Sequence, residues 1–376
     1  LYIRKGFKKP YSILIGNYYL KLFRKQLIDI PNYHTENTYK VFVCGSLFYK
    51  DLSYGSSLKK LLSDFIDNKL DAQKLRGSYI ILFYNSSSNE ILFYIDPAFI
   101  KNVYFDPERK IISSDFLALI EATPDFYSID RLAVIENITT GHLISPDTYV
   151  SEVKKLDKVN FSTLEFQFPG IYFNLLIPSI IDSINNRDEA INYANQQLSE
   201  YFKGIRKLTD EFGAHIGLTG GFDSRLLLMH GRKYLSNLVT NSFWRPESLD
   251  YQNAKELAGV AGLKFYSFEK ESFEKPCINE MLHDSFYFLD GQIRSQNRWD
   301  EEFSLAEYNA SLTRGYNVGF HGCGGEQYRN ADHFYRPKSL RSFILYSWMF
   351  RQCEDPFLDD DLKWQIYNNI EKKSDG

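Results

Sequence analysis

The sequence predicts an α/β protein of two domains, a layered α+β domain over residues 1–175 and a doubly wound parallel sheet over residues 186–376. Three observations predict this fold class. The first half has strand-like runs in hairpin order, the second half alternates strand-like with helix-like runs, and 376 residues are enough for two cores. In a doubly wound sheet, ligands bind at the carboxyl ends of the strands, so the second domain is where we expect a site.

Composition narrows the class of protein. A hydrophobic content of 44% with 24% charged residues is ordinary for a globular protein, and a net charge of −4 gives no electrostatic reason to bind nucleic acid or an anionic membrane. No apolar run is long enough to span a bilayer, and the first residues have neither Met nor a signal-peptide core, so we expect a processed or incomplete start. The four cysteines are scattered without metal or disulfide spacing, which favours a reducing, cytoplasmic location.

The first half is predicted to be mostly β. Apolar runs at 77–84 and 91–95 flank a polar turn and predict a hairpin, and runs at 102–105 and 110–114 predict a second pair. Helical spacing is present at 58–68 and 130–138. Residues 171–195 are interpreted as a linker.

The second half is predicted to alternate helices and strands. The expected helices are at 190–207, 224–234, 250–261 and 301–312, and the expected strands at 213–218, 238–243, 263–268 and 316–321. In the third of these helices one apolar face is formed by Ala254, Leu257, Ala258 and Ala261, and Gly262 stands where a helix-ending glycine is favoured.

A glycine-containing turn follows the first strand of this half, with the sequence Leu218-Thr219-Gly220-Gly221-Phe222-Asp223-Ser224. A strand, a turn and a helix start point backbone N–H groups at one spot that attracts an anion, most often phosphate. The glycines let the backbone approach the phosphate, and the two hydroxyls of Thr219 and Ser224 are possible donors to it. Because like charges repel, Asp223 is interpreted as a ligand of Mg²⁺ rather than of phosphate.

This turn resembles the Ser-Gly-Gly-x-Asp-Ser pyrophosphate loop of the ATP pyrophosphatase superfamily, with Thr219 in place of the first serine. The resemblance implies an enzyme that binds ATP and Mg²⁺, cleaves ATP between the α and β phosphates and adenylates a substrate. It also implies contacts near adenine from residues at the strand ends, which are Leu218, Ser242, Phe243 and Gly322. The alternative interpretation is an ordinary strand-to-helix turn with two glycines.

A second glycine-rich segment, Gly322-Cys323-Gly324-Gly325-Glu326-Gln327, follows the last predicted strand. It resembles a Gly-x-Gly-Gly-Asp-Glu segment of the asparagine synthetase family, in which Gln327 replaces the second acid. The resemblance implies that Glu326 holds Mg²⁺ opposite Asp223. Alternatively, Glu326 is a solvated side chain on an exposed loop.

The first half resembles the glutaminase half of asparagine synthetase in the order of its signals. These are Arg76-Gly77-x-Tyr79, Asp96-Pro97, Val103-Tyr104-Phe105 and Ser113-Ser114-Asp115. In that family an N-terminal cysteine hydrolyses glutamine, whereas this chain begins with Leu1 and its nearest cysteine, Cys44, is interpreted as a small buried hydrophobe. We therefore expect a glutaminase-like fold without glutaminase chemistry, acting as a scaffold or partner surface.

Several other residues have two interpretations each. Arg225 either binds pyrophosphate or pairs with an acid, and Asp250 either caps its helix or contacts substrate. Arg294, Arg298 and His321 are candidates for holding the acyl substrate, and for the two arginines a solvated surface is an equal alternative. The sequence nominates no catalytic residue: family members carry catalytic lysine and tyrosine or glutamate residues in a C-terminal helical region, and Lys363 is too isolated to match.

Together the resemblances imply an AMP-forming carbon–nitrogen ligase that adenylates a small-molecule or peptide carboxylate and transfers ammonia or an amine to it. β-Lactam synthetases and lasso-peptide cyclases are relatives that keep a first half without glutaminase activity. A partner protein or a homo-oligomer is possible. One alternative is another adenylating enzyme, such as a sulfur transferase acting on RNA, against which the low basicity and absent paired cysteines count. The other is a non-catalytic ATP-binding, regulatory or scaffold protein.

Overall fold

A computed structural model describes most of the chain. The described residues are 1–2, 5, 7–24, 30–52, 54–140, 143, 146–157, 168, 170–175, 186–242, 245–267, 286–291, 313–322, 361, 364–365 and 368–369. The predicted helix at 301–312 and the sites predicted at Phe243, Arg294, Arg298 and Glu326 lie outside these residues, as do Gln327, Cys323 and Lys363.

The first half is a layered α+β structure, as predicted. Its strands are β1 (Tyr11–Ile15), β2 (Tyr18–Leu22), β3 (Tyr33–Glu36), β4 (Tyr39–Gly45), β5 (Phe48–Tyr49), β6 (Leu75–Arg76), β7 (Tyr79–Asn85), β8 (Glu90–Ile95), β9 (Tyr104–Asp106), β10 (Ile111–Ser113), β11 (Lys154–Lys155) and β12 (Ile171–Leu175). Its helices are α1 (Tyr54–Ile66), α2 (Phe116–Ala122) and α3 (Arg131–Thr140). The central sheet has the order β12-β8-β7-β4-β3, and only β12 in it pairs parallel.

Strand β7 shows why this sheet has a core on both faces. Its side chains alternate, so Ile81 and Phe83 pack with α1 on one face, while Ile80 and Leu82 face the β1–β2 hairpin and β9 on the other. Cys44 of β4 packs against the second of these clusters and is half-buried rather than fully buried as predicted.

The predicted hairpin at 77–95 and the short pair at 102–114 are confirmed as β7–β8 and β9–β10. The linker at 171–195 is wrong at both ends. Residues 171–175 form β12, which adds to the open edge of β8, and a helix already begins at Arg187 because Asn186 accepts a hydrogen bond from the Glu189 N–H at 2.9 Å.

The second half contains a four-stranded parallel sheet with helices between its strands. The strands are β13 (Ala214–Gly217), β14 (Leu238–Ser242), β15 (Phe265–Ser267) and β16 (Val318–Phe320), and the helices are α4 (Arg187–Phe212), α5 (Phe222–Tyr234) and α6 (Leu249–Ala261). The sheet order is β15-β14-β13-β16, with every pairing parallel. The predicted alternation is therefore confirmed in the described residues, and the apolar face of α6 is buried, with Gly262 in the left-handed conformation at its end.

Helix α4 connects the two halves. Its side chains Phe202 and Ile205 lie in one apolar cluster with Phe48 and Tyr54 of the first half and Ile216 of β13. The opposite charges of Arg76 and Glu200 meet at 3.5 Å on the rim of this contact. The sheet that ends at the predicted site thus shares a core with the first domain.

Within the described residues, no helix combines the length and the apolar character needed to cross a membrane.

Candidate functional site

The predicted phosphate loop lies between a buried strand and a helix, as its sequence indicates. Strand β13 ends at Gly217, and α5 begins at Phe222, with Gly221 at the N-cap position. Glycine has no side chain to accept from the first N–H groups of the helix, and these groups have no partner within a helix. The N-terminus of α5 is therefore a favourable place for an anion.

Hydrogen bonds of the two loop hydroxyls hold the turn together. Ser224, 4% exposed, accepts from the Thr219 N–H at its Oγ over 3.2 Å. The same Oγ lies 3.2 Å from the carbonyl oxygens of Thr219 and Gly221. The Gly221 N–H donates to Thr219 Oγ1 at 3.1 Å. These hydroxyls thus stabilise the loop itself, a role that the sequence interpretation of them as phosphate donors missed.

Gly322 meets this loop directly. It follows β16, which is parallel to β13, so the two strands end at the same edge of the sheet. A Cβ at Gly322 would lie 2.9 Å from the backbone nitrogen of Ser224 and 3.0 Å from Cβ of Asp223. Gly322, the first residue of the second glycine-containing segment, is therefore in contact with the loop, and this position needs glycine.

Two further predicted residues lie at the same edge. Leu218, 1% exposed, follows β13, and its N–H donates to the carbonyl of Asn241 at 2.8 Å. Ser242 is the last residue of β14 and is also 1% exposed, yet its Oγ has no hydrogen-bond partner among the described residues. A buried hydroxyl without a partner is costly, which is consistent with a polar ligand group bonding there.

Arg225 lies beside the loop on α5. Its Nε donates to the Gly221 carbonyl at 3.3 Å, and its guanidinium lies over the Phe222 ring, 4.3 Å from the centroid. The structure gives it no acidic partner among the described residues, so the interpretation of Arg225 as one half of an ion pair is not supported there.

Asp250 does not cap its helix. The N-cap of α6 is Ser248, whose Oγ accepts from the Tyr251 N–H at 3.2 Å. The carboxylate of Asp250 instead accepts the N–H of Gly220 at 3.0 Å. The sequence could not predict this contact, because it joins positions 30 residues apart through the packing of α6 on the sheet, where Ala254 and Ala258 lie in one cluster with Leu218.

A buried histidine lies on the same sheet and was not predicted. Nδ1 of His215 in β13 is 3.1 Å from Oδ1 of Asn241 in β14, and both side chains are buried. Burial lowers the pKa of His215, since a charged imidazole is poorly solvated there. The predicted substrate residue His321 is exposed, and its ring lies edge-on to His215 with the centroids 6.2 Å apart.

Among the described residues, the protein side chains could bind Mg²⁺ only together with the phosphates of a substrate. These residues contain no group of three or more His, Cys, Asp or Glu side chains that could hold a metal by themselves. Mg²⁺ is usually bound by one or two carboxylates together with substrate phosphates, and Asp223, in the first turn of α5, offers one such carboxylate beside the anion site.

No model of a known protein family matches this chain, and none of the curated proteins matches it. Among solved structures, it is similar to a glutamine-dependent NAD+ synthetase from Acinetobacter baumannii in complex with adenosine diphosphate. The identity is 11%, the similarity covers 82% of this chain and 72% of that chain, and the TM-score is 0.24. A TM-score this low shows neither a common fold nor a common function.

Proposed function

We propose that this protein is an ATP-dependent, AMP-forming ligase that adenylates a carboxylate, releases pyrophosphate and passes the acyl group to ammonia or an amine. The observation that carries the proposal is the contact of Gly322 with Asp223 and Ser224 at the N-terminus of α5. It supports the proposal because Gly322 is the first residue of a segment that resembles the metal segment of the same ligase family whose phosphate segment the loop resembles.

In this proposal the N–H groups at the start of α5 bind the phosphates of ATP. Asp223 and Glu326 hold Mg²⁺, which would offset the charge that develops as pyrophosphate leaves. The adenosine is proposed to bind at Leu218, Ser242 and Phe243, and the support for this is the buried Ser242 hydroxyl, which has no hydrogen-bond partner among the described residues. The first half, including Cys44, acts as a scaffold or partner surface, so nitrogen comes from ammonia or a second substrate.

The test is pyrophosphate release from ATP and Mg²⁺ in the presence of a panel of carboxylates and amines. We expect release that depends on one carboxylate and falls at least about a hundredfold in Asp223→Ala, the range seen when one charge-stabilising group is removed. Asp188→Ala is the matched control, because Asp188 is an exposed carboxylate in the first turn of α4, and it should release pyrophosphate at the wild-type rate.

Two other results would count against this proposal. Tight ATP binding with no release across the panel would favour the non-catalytic ATP-binding protein. Wild-type protein that binds no ATP would overturn the proposed function altogether.

A further inference from the structure

Asp250 contacts the loop from the first turn of α6. Its Oδ1 accepts the Gly220 N–H at 3.0 Å, and a charged acceptor makes this bond stronger than a neutral one would. A Cβ at Gly220 would lie 2.8 Å from Nδ2 of Asn253 and 3.1 Å from the same Oδ1 of Asp250. Residue 220 is therefore in close contact with the ends of two side chains of α6, and glycine leaves room for both without a shift.

The contact completes a set of internal bonds in the turn. The N–H of Thr219 is bonded to Ser224 Oγ, that of Gly221 to Thr219 Oγ1, and that of Gly220 to Asp250. Three successive peptide groups are thus oriented by side chains before the helix begins. Of these three side-chain acceptors, Asp250 is the one that comes from outside the loop, and its hydrogen bond ties the loop to the next helix.

We propose that Asp250 is a positioning residue that holds the Gly220 peptide against α6, so that the N–H groups at the start of α5 are oriented for the phosphates of a nucleotide. The inference rests on the proposed function. Asp250 acts through the backbone of Gly220 and needs no contact with ATP. The negative charge of Asp250 would repel a phosphate, and its engagement with the Gly220 N–H offsets part of that repulsion.

The contact itself is tested by NMR in protein without nucleotide. Labelling with [¹³C]threonine and [¹⁵N]glycine selects amides of glycines that follow threonine, and the sequence has two such pairs, Thr140-Gly141 and Thr219-Gly220. We expect the Gly220 amide to move upfield in Asp250→Ala, and by a smaller amount in Asp250→Asn, which keeps an acceptor oxygen but loses the charge. The Gly141 amide is the internal reference. An unmoved Gly220 amide in both variants would overturn the proposal, and the Asn variant keeps the test valid if the Ala variant does not fold.

Its role is tested by calorimetric binding of α,β-methylene-ATP with Mg²⁺. We expect about a tenfold weaker affinity for Asp250→Ala, less than about threefold for Asp250→Asn, and no change for Glu256→Ala, since Glu256 is an exposed carboxylate on the same helix. The partial rescue by asparagine separates an oriented peptide from a general loss of stability, which thermal unfolding of each variant measures independently.

Unchanged affinity in Asp250→Ala would overturn the positioning role, and tighter binding in both variants would show instead that the carboxylate competes with phosphate. If wild-type protein does not bind the analogue, the proposed function fails. If wild-type protein binds and Asp250→Ala binds equally well, only this inference fails.

Discussion

At the candidate site, two glycines lie so close to neighbouring atoms that an added Cβ would be in close contact with them. Gly322 stands against the backbone of Ser224, and Gly220 stands against Asn253 and Asp250. Neither glycine has a positive φ, so at Gly322 packing against a backbone atom, rather than backbone conformation, requires glycine, whereas at Gly220 the nearest atoms are the ends of side chains. The sequence interpretation assigned the close approach at Gly220 to phosphate and placed Gly322 near adenine, and the structure shows in addition that protein atoms lie close to both glycines.

Substitution of Gly322 tests this packing. A Cβ there would lie 2.9 Å from the Ser224 nitrogen, a backbone atom that cannot move without moving the start of α5. We expect Gly322→Ala to weaken binding of α,β-methylene-ATP by about tenfold or more, or about 1.4 kcal/mol, in a calorimetric titration.

The matched control is Gly259→Ala in α6, where a Cβ would meet no atom within 4 Å. That variant should bind like wild type and be more stable by about 0.5–1 kcal/mol, since alanine favours helix. Wild-type affinity in Gly322→Ala would contradict the contact between the two segments.

At the scale of helices and strands, sequence patterns predicted those elements whose conformation and buried face depend on neighbouring residues in the chain. The alternation in β7 and the alanine face of α6 follow from side-chain periodicity, and both are as expected. Strand β12 was missed because it pairs with β8, which is distant in the sequence, and the five residues of β12 do not indicate that partner. The start of α4 had a local signal, an N-cap residue Asn186 with two acids in the first turn, which hydrophobic periodicity does not detect.

A cap on α2 joins the two halves at a second place. The carboxylate of Asp290 accepts the N–H groups of Phe116 and Leu117 at 2.6 and 2.9 Å, and Gly291 packs on the same two side chains. Burial, with the nearby charge of Asp115, raises the pKa of Asp290 to about 6, although the two N–H bonds act in the opposite direction.

This shift predicts a pH dependence of stability. Because the folded protein holds the Asp290 proton more tightly than the unfolded chain does, the contribution of Asp290 to stability is present below about pH 4 and is lost as the pH rises through about 6. We expect the free energy of unfolding of wild type, relative to Asp290→Asn, to fall between pH 4 and about pH 7.5 in denaturant titrations.

Asp125→Asn, at an exposed carboxylate in the turn after α2, is the control and should follow wild type across this range. Curves for wild type and Asp290→Asn that stay parallel at every pH would show that Asp290 does not titrate there.

At the scale of the whole molecule, apolar packing around α4 joins the two halves, in addition to the cap that Asp290 forms on α2. Phe202 of α4 is fully buried and stacks on Phe320 of β16, within the cluster that includes Phe48 of the first half. The Arg76–Glu200 pair on the rim is partly exposed, and such pairs contribute little, about 0–1 kcal/mol. The strand that leads to Gly322 is thereby packed through α4 against the first domain, so the first half supports the candidate site even if it carries no chemistry.

In the proposed function, ATP is cleaved between its α and β phosphates at the loop that begins with Thr219. The most direct measurement is the identity of the adenine product formed from [α-³²P]ATP with Mg²⁺, the carboxylate panel and ammonium, separated by chromatography. If ATP is cleaved there, we expect labelled AMP in an amount equal to the pyrophosphate released. Labelled ADP, or no labelled product with any carboxylate, would contradict it.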